Sequence, residues 1–128
     1  MKLLIVEDDN AYGQTLARRM TKHGFSVERV THADEVLIKA RQYLPEYILL
    51  DMKLGAQISL PLIKPLRALL PNCKIVLLTG FASIATAVEA IRLGANDYLA
   101  KPADTKSVVA ALTGEKAEIA FDETPISS

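Results

Sequence analysis

Four apolar runs in this sequence end on residues that can do chemistry. LLIV is followed by Glu7, Asp8 and Asp9, YILL by Asp51, IVLL by Thr79 and Gly80, and DYLA by Lys101 and Pro102. A carboxylate placed where a buried strand emerges carries a desolvation cost, so it needs a compensating partner or a chemical purpose. In an open parallel sheet the carboxyl ends of the strands line one edge, and ligands bind there at the topological switch point. If the first and third runs are neighbours, the acids after LLIV converge with Asp51. Left alone, such carboxylates repel one another and raise some pKa values strongly. An oxygen-ligated divalent cation resolves the conflict. Mg²⁺ suits such a site, since it accepts a few carboxylates, keeps waters and takes further oxygen from a phosphoryl group. Asp51 is then the candidate nucleophile, whose oxygen attacks phosphorus to give an aspartyl phosphate. The Lys101 ammonium and the Thr79 hydroxyl are candidate partners for the other phosphoryl oxygens. Catalysis of such a transfer is mostly positioning and charge neutralisation.

The elements that must position these residues follow from the spacing of the apolar runs. Five recur: LLIV (3–6), FSVERV (25–30), YILL (47–50), IVLL (75–78) and DYLA (97–100). Segments with helical period and punctuation lie between them. The first carries Leu16, Met20 and His23 and stops at Gly24. The second opens on a capping-box-like signal at Thr31–Asp34, carries Val36, Leu37 and Ala40, and halts before Pro45. The third, roughly 58–70, contains Pro61 and Pro65, so a kinked or late-starting helix is expected. The fourth starts near Ser83, shows Ile84, Val88 and Ile91, and stops at Gly94; the fifth begins at Asp104 and carries Val108, Val109 and Leu112. Alternating strands and helices call for a parallel sheet with right-handed crossovers and helices on both faces. The unbroken runs suit central strands, and FSVERV reads as an edge.

Composition bounds the rest. With 128 residues, half of them hydrophobic, the chain is sized for one domain. Fifteen basic residues balance fifteen acidic ones, so no basic field exists to hold phosphate backbones or anionic lipids. The first apolar run is too short for a signal peptide or a membrane span, and a cytoplasmic location is expected. The lone Cys73, at the start of an apolar run, reads as a small buried hydrophobe. His23 and His32 fall at a helix end and near a helix start, and neither is expected to serve as catalyst or ligand.

Taken together, Glu7-Asp8 followed by Asp9, Asp51 after YILL, Thr79-Gly80 after IVLL, Tyr98 and Lys101-Pro102 resemble a receiver domain of a two-component response regulator. The resemblance covers residues 2–113. It implies an α/β, flavodoxin-like (CheY-like) doubly wound five-stranded parallel sheet with strand order 2-1-3-4-5. The spacing from Asp8 to Asp51 fits the family's register, which places the metal pair at Glu7 and Asp8 rather than at Asp8 and Asp9. By the same resemblance Asp51 and the backbone carbonyl of Lys53 complete the Mg²⁺ ligands, and Thr79 and Tyr98 form a switch. The implied donor is a sensor histidine kinase. Helix four, strand five and helix five offer a face for a possible homodimer. Lys53 and Phe81 sit where the family tunes access of water to the phosphoryl group, and Phe81 is expected to hinder it. The stretch LTGFASIATAVEAIRLGANDYLAKPAD is similar to the RegA, PrrA, ActR and RoxR class of redox-responsive regulators. That class carries a C-terminal helix-turn-helix that this sequence lacks, so DNA contact and transcriptional control are expected only through such a missing module. Residues 1–114 are read as the receiver domain and 115–128 as a linker or extension.

One departure is Ser59, where many receivers have Gly, which leaves the loop before the third helix open. Two rival readings are weaker. A haloacid-dehalogenase-like phosphotransferase needs an acid two residues after the nucleophile, and that position is Lys53. A nucleotide-binding domain needs a glycine-rich phosphate loop, and neither G-x-G-x-x-G nor G-x-x-x-x-G-K-[ST] follows any strand. A signalling role rather than an enzymatic one is expected.

Overall fold

The computed structural model describes residues 1–80 and 83–114. Phe81 and the expected linker 115–128 lie outside the described residues. The central sheet is built from β1 (Lys2–Val6), β2 (Ser26–Val30), β3 (Tyr47–Asp51), β6 (Lys74–Thr79) and β7 (Asp97–Ala100). A two-stranded hairpin, β4 (Lys53–Leu54) with β5 (Gln57–Ile58), leaves the sheet after β3. The main sheet is wholly parallel, in the order β2-β1-β3-β6-β7. Counting its five strands alone, this is the expected order 2-1-3-4-5, with FSVERV at an edge.

Side chains alternate across each strand, so the apolar runs feed two cores. Leu4, Val6, Ile48, Leu50, Ile75 and Leu77 face one side and Leu3, Ile5, Leu49, Val76 and Leu78 the other, nearly all fully buried. The second face is covered by α1 (Asn10–Lys22) and α5 (Thr105–Thr113) through Leu16, Met20, Val108 and Leu112. The first is covered by α2 (Val36–Tyr43), α3 (Ile63–Leu69) and α4 (Ile84–Leu93) through Val36, Ala40, Ile63, Leu66 and Ala90. Each large aliphatic side chain so buried contributes about 1.5–3 kcal/mol from desolvation, which is why β1, β3 and β6 cannot slip in register without exposing a whole face.

Three helices start on side chains that accept an amide hydrogen: Ser83 for α4 and Asp104 for α5, as the sequence suggests, and Asp9 for α1. The second helix does not. A 3₁₀ turn (Ala33–Glu35) precedes α2 and His32, at its cap, makes no side-chain bond there, so the capping-box expectation at Thr31–Asp34 fails. Of the two alternatives for the third helix, late starting is what occurs. A 3₁₀ turn (Leu60–Leu62) accommodates Pro61, and Pro65 falls in the first turn of α3, where amide hydrogens lack intrahelical acceptors. The helical period at Ile84, Val88 and Ile91 is real, yet that stripe faces outward, 84%, 51% and 50% exposed. Cys73 is buried, its thiol pushed up to about 12 by desolvation against the opposing charge of Arg67, which suits an inert hydrophobe.

Candidate functional site

The carboxyl ends of β1, β3, β6 and β7 meet at one edge, and single backbone bonds carry the ladder just past them. Glu7 N–H donates to Val30 O (3.0 Å), Met52 N–H to Leu78 O (2.8 Å) and Lys101 N–H to Thr79 O (2.8 Å). Each residue that leaves the sheet is therefore held in strand register as it emerges. Asp51 is the last residue of β3, opposite Leu78 of β6, and is buried together with Glu7 and Thr79.

The side chains converge as the pattern of strand ends requires. Glu7, Asp8 and Asp51 each present a carboxylate oxygen, all within 4.8 Å of one another. Lys101 Nζ lies 3.0 Å from Glu7 Oε1 and 3.2 Å from Asp51 Oδ1. Glu7 is held twice, because its Oε2 accepts from Asp9 N–H at 3.1 Å. The Asp9 carboxylate in turn accepts from Tyr12 N–H at 3.0 Å as the cap of α1. Asp9 is thus committed to the helix, whereas Asp8 Oδ2 reaches across to Gly55 N–H at 2.7 Å. Gly55 has φ +61°, a conformation in which a side chain is strained, so the hairpin turn that supplies this amide favours glycine.

The electrostatics are those of an under-neutralised site. Desolvation first and Glu7 second raise Asp51 from 3.8 to about 6, against the opposing pull of Lys101. Burial alone would lower the Lys101 pKa, but its bonds and charges toward Glu7 and Asp51 raise it, so it stays an ammonium. Three carboxylates gathered around Lys101 among the described residues fit the all-oxygen donor set of a hard divalent ion. Beside them lies a cleft of about 210 Å³ lined by Asp51, Met52, Lys53, Ile58, Thr79, Gly80 and Lys101. Ligand pockets for drug-sized molecules span about 300–1,000 Å³. The cleft suits a phosphoryl group with its waters better than a nucleotide.

Thr79 Oγ1 donates to Met52 Sδ at 3.4 Å, and the Tyr98 hydroxyl donates to Ser83 O at 3.4 Å with its ring packed against the first core. His23 closes α1, its Nδ1 3.0 Å from Arg19 O. His32, expected only near a helix start, also lies close to the strand ends. It lines a neighbouring cleft with Asp8, Asp34 and Gly55.

Several contributors escaped sequence reasoning. The Lys101 ammonium sits 4.8 Å from the centre of the Tyr12 ring, a cation–π contact from α1. Ser59, the departure from the usual glycine, has φ −85° and is fully buried. Its hydroxyl donates to the Asp51 carbonyl and its N–H to Met52 O, so this loop needs no glycine there and gains a tie to the strand end. Its signal in the sequence was the departure itself. Arg29, on β2, reaches the carbonyl of Glu7, and nothing in an edge-strand pattern marks it.

A wholly parallel sheet with helices on both faces, its carboxyl edge carrying the Glu7, Asp8 and Asp51 carboxylates and Lys101, defines a doubly wound α/β domain of CheY-like topology. The chain belongs to the response regulator receiver domain family, whose sequence profile matches residues 3–113. It is similar to the acid tolerance regulatory protein ActR of Sinorhizobium medicae (strain WSM419), with 42% identity over 98% of this chain and 66% of that one. It is also similar to the photosynthetic apparatus regulatory protein RegA of Rhodovulum sulfidophilum, with 45% identity over 86% of this chain and 60% of that one. The chain thus spans about 60–66% of the length of these curated relatives. Among solved structures, a Burkholderia pseudomallei response regulator with a phosphorylated aspartic acid, calcium ion and citrate superposes with TM-score 0.88 and 41% identity, covering 96% of this chain and 72% of that one. The beryllofluoride-activated receiver domain of Klebsiella pneumoniae RstA matches with TM-score 0.82 and 28% identity, covering 90% of this chain and 97% of that one. The family is one of signalling modules rather than enzymes. Among the described residues no helix is long and apolar enough to cross a membrane.

Proposed function

We propose that this receiver domain takes a phosphoryl group from a phosphohistidine of a sensor kinase onto Asp51. The observation that carries the reading is the Lys101 ammonium held 3.2 Å from Asp51 and 3.0 Å from Glu7 within a three-carboxylate cluster. An Asp51 oxygen forms the new bond to phosphorus while the phosphorus–nitrogen bond of the donor breaks and the imidazole leaves as the neutral base once protonated. Lys101 neutralises one phosphoryl oxygen, and Thr79 donates to another after giving up Met52. Glu7, Asp8, Asp51 and the Lys53 carbonyl would hold Mg²⁺, which supplies charge neutralisation at the remaining oxygens when bound. The Burkholderia relative, whose structure holds both a phosphorylated aspartic acid and a calcium ion, supports a divalent ion in this domain.

Phosphorylation then shifts a population: Thr79 moves toward the phosphoryl group, Tyr98 fills the space it leaves, and the face of α4, β7 and α5 changes. The exposed Ile84, Val88 and Ile91 make that face suited to a homodimer. Residues 1–114 form the receiver domain, which is supported by the family match to residue 113 and the end of α5 at Thr113, and 115–128 are a linker or C-terminal extension. Its setting is cytoplasmic, and transcriptional control is exerted through a C-terminal helix-turn-helix of the kind that its longer relatives have room for.

Incubation with acetyl phosphate and MgCl₂ tests this by intact mass. Wild type is expected to gain one phosphoryl group and Asp51→Asn none; an unmodified wild type, or equal gain in both, overturns the reading.

A further inference from the structure

A loop of three consecutive acids must aim two of them at one point against their mutual repulsion, and the side chain that stiffens it comes from the neighbouring edge strand. Arg29 Nε donates to Glu7 O at 3.2 Å, and its Nη2 donates to Asn10 Oδ1 at 2.8 Å, with Asp9 O at 3.5 Å. One planar guanidinium thus spans the loop from its first residue to the first residue of α1, a fork that a lysine's single ammonium cannot reproduce.

The helix opposite has been shaped to admit it. Gly13 lies inside α1 with no left-handed backbone to explain it, and an interior glycine is about 1 kcal/mol worse than alanine. A Cβ built there would stand 2.4 Å from Arg29 Nε and 2.7 Å from its Cζ. The glycine is a slot for the guanidinium.

We propose that Arg29 is a positioning residue for the cation site: seated in the Gly13 slot, it fixes the β1–α1 loop so that the Glu7 and Asp8 carboxylates point together. This rests on the Mg²⁺ reading above. Two effects of Arg29 have opposite signs. Its positive charge weakens cation binding, whereas its hydrogen bonds strengthen binding by preorganising the ligands, and variants separate the two. Arg29→Lys keeps charge without the fork, Arg29→Met keeps neither, and Gly13→Ala displaces the intact guanidinium.

The test is an amide NMR titration of the folded protein with MgCl₂. Each single variant is expected to bind about 3- to 10-fold more weakly, below the loss seen when a direct partner of a ligand is removed. Gly13→Ala added to Arg29→Met should bring no further loss, because the slot is then empty. Acetyl phosphate labelling of the variants should recover near the wild-type rate at saturating MgCl₂. Affinity unchanged in Gly13→Ala and Arg29→Lys, tighter binding in Arg29→Met, or losses that simply add would each overturn the proposal. A wild type that does not bind Mg²⁺ would instead overturn the cation reading, and this inference with it.

Discussion

Asp51 is buried with a pKa raised from 3.8 to about 6, so at neutral pH the fold carries a charge it holds less comfortably than the unfolded chain does. Between those two values the folded state binds the proton more tightly. Stability therefore falls as pH rises from about 4 to about 6, and above that range the loss is complete. The difference is worth up to about 3 kcal/mol, at about 1.4 kcal/mol per pKa unit. Asp51→Asn removes the charge while keeping the shape. Lys101 retains Glu7 at 3.0 Å, so no buried ammonium is left without a carboxylate. Allowing for imperfect amide contacts, a gain of about 2 kcal/mol is expected at pH 7.5 without divalent ions, a rise in Tm of about 6–10 °C. Urea unfolding and thermal melts of both proteins from pH 4.5 to 7.5 measure it. The gap should close toward low pH as wild-type Asp51 takes up its proton. Mg²⁺ at about ten times Kd should narrow it too, by adding about 1.4 kcal/mol to wild type. A variant no more stable than wild type at pH 7.5, or a gap that persists unchanged at pH 4.5, refutes the reasoning.

Other outcomes follow from the same contacts. Lys101→Met leaves the buried Glu7 and Asp51 carboxylates without their cation and should destabilise by about 2–3 kcal/mol at pH 7.5, with partial recovery near pH 5 in urea titrations. Ser59→Gly removes the hydroxyl bond to Asp51 O and loosens the loop, which should lower urea stability by about 1–2 kcal/mol. Arg67 donates to the carbonyls of Leu70, Pro71, Cys73 and Gly94 and to Asn96 Oδ1. Its replacement by Met should reduce stability by about 2–4 kcal/mol without changing Mg²⁺ affinity, since the cluster lies at the opposite edge of the sheet. Ile84→Ser on the outward face of α4 should leave stability within about 0.5 kcal/mol of wild type while weakening phosphodonor-induced dimerisation in analytical ultracentrifugation.

The strands were readable because a buried parallel sheet needs unbroken aliphatic runs, and LLIV, YILL and IVLL have no other comfortable place in a small domain. The residues that follow those runs were readable for the same reason: strand ends of one sheet share an edge. The starts of α4 and α5 carried local signals in Ser83 and Asp104. The start of α2 misled, since Thr31–Asp34 has the composition of a cap but the chain first makes a 3₁₀ turn. A cap depends on backbone angles that neighbouring packing selects. The stripe of Ile84, Val88 and Ile91 misleads in another way, for periodicity shows that a helix has an apolar side and not that the side is covered.

By itself, then, the order of residues determined which groups leave the sheet together, because period and punctuation are local properties of the chain. Distances were decided only in three dimensions. The ammonium of Lys101 between Glu7 and Asp51, the Tyr12 ring beneath it and the fit of Arg29 over Gly13 each join segments far apart along the chain. No local pattern encodes such a contact, since it exists only after hydrophobic burial has set β1 between β2 and β3 and drawn the strand ends to one edge.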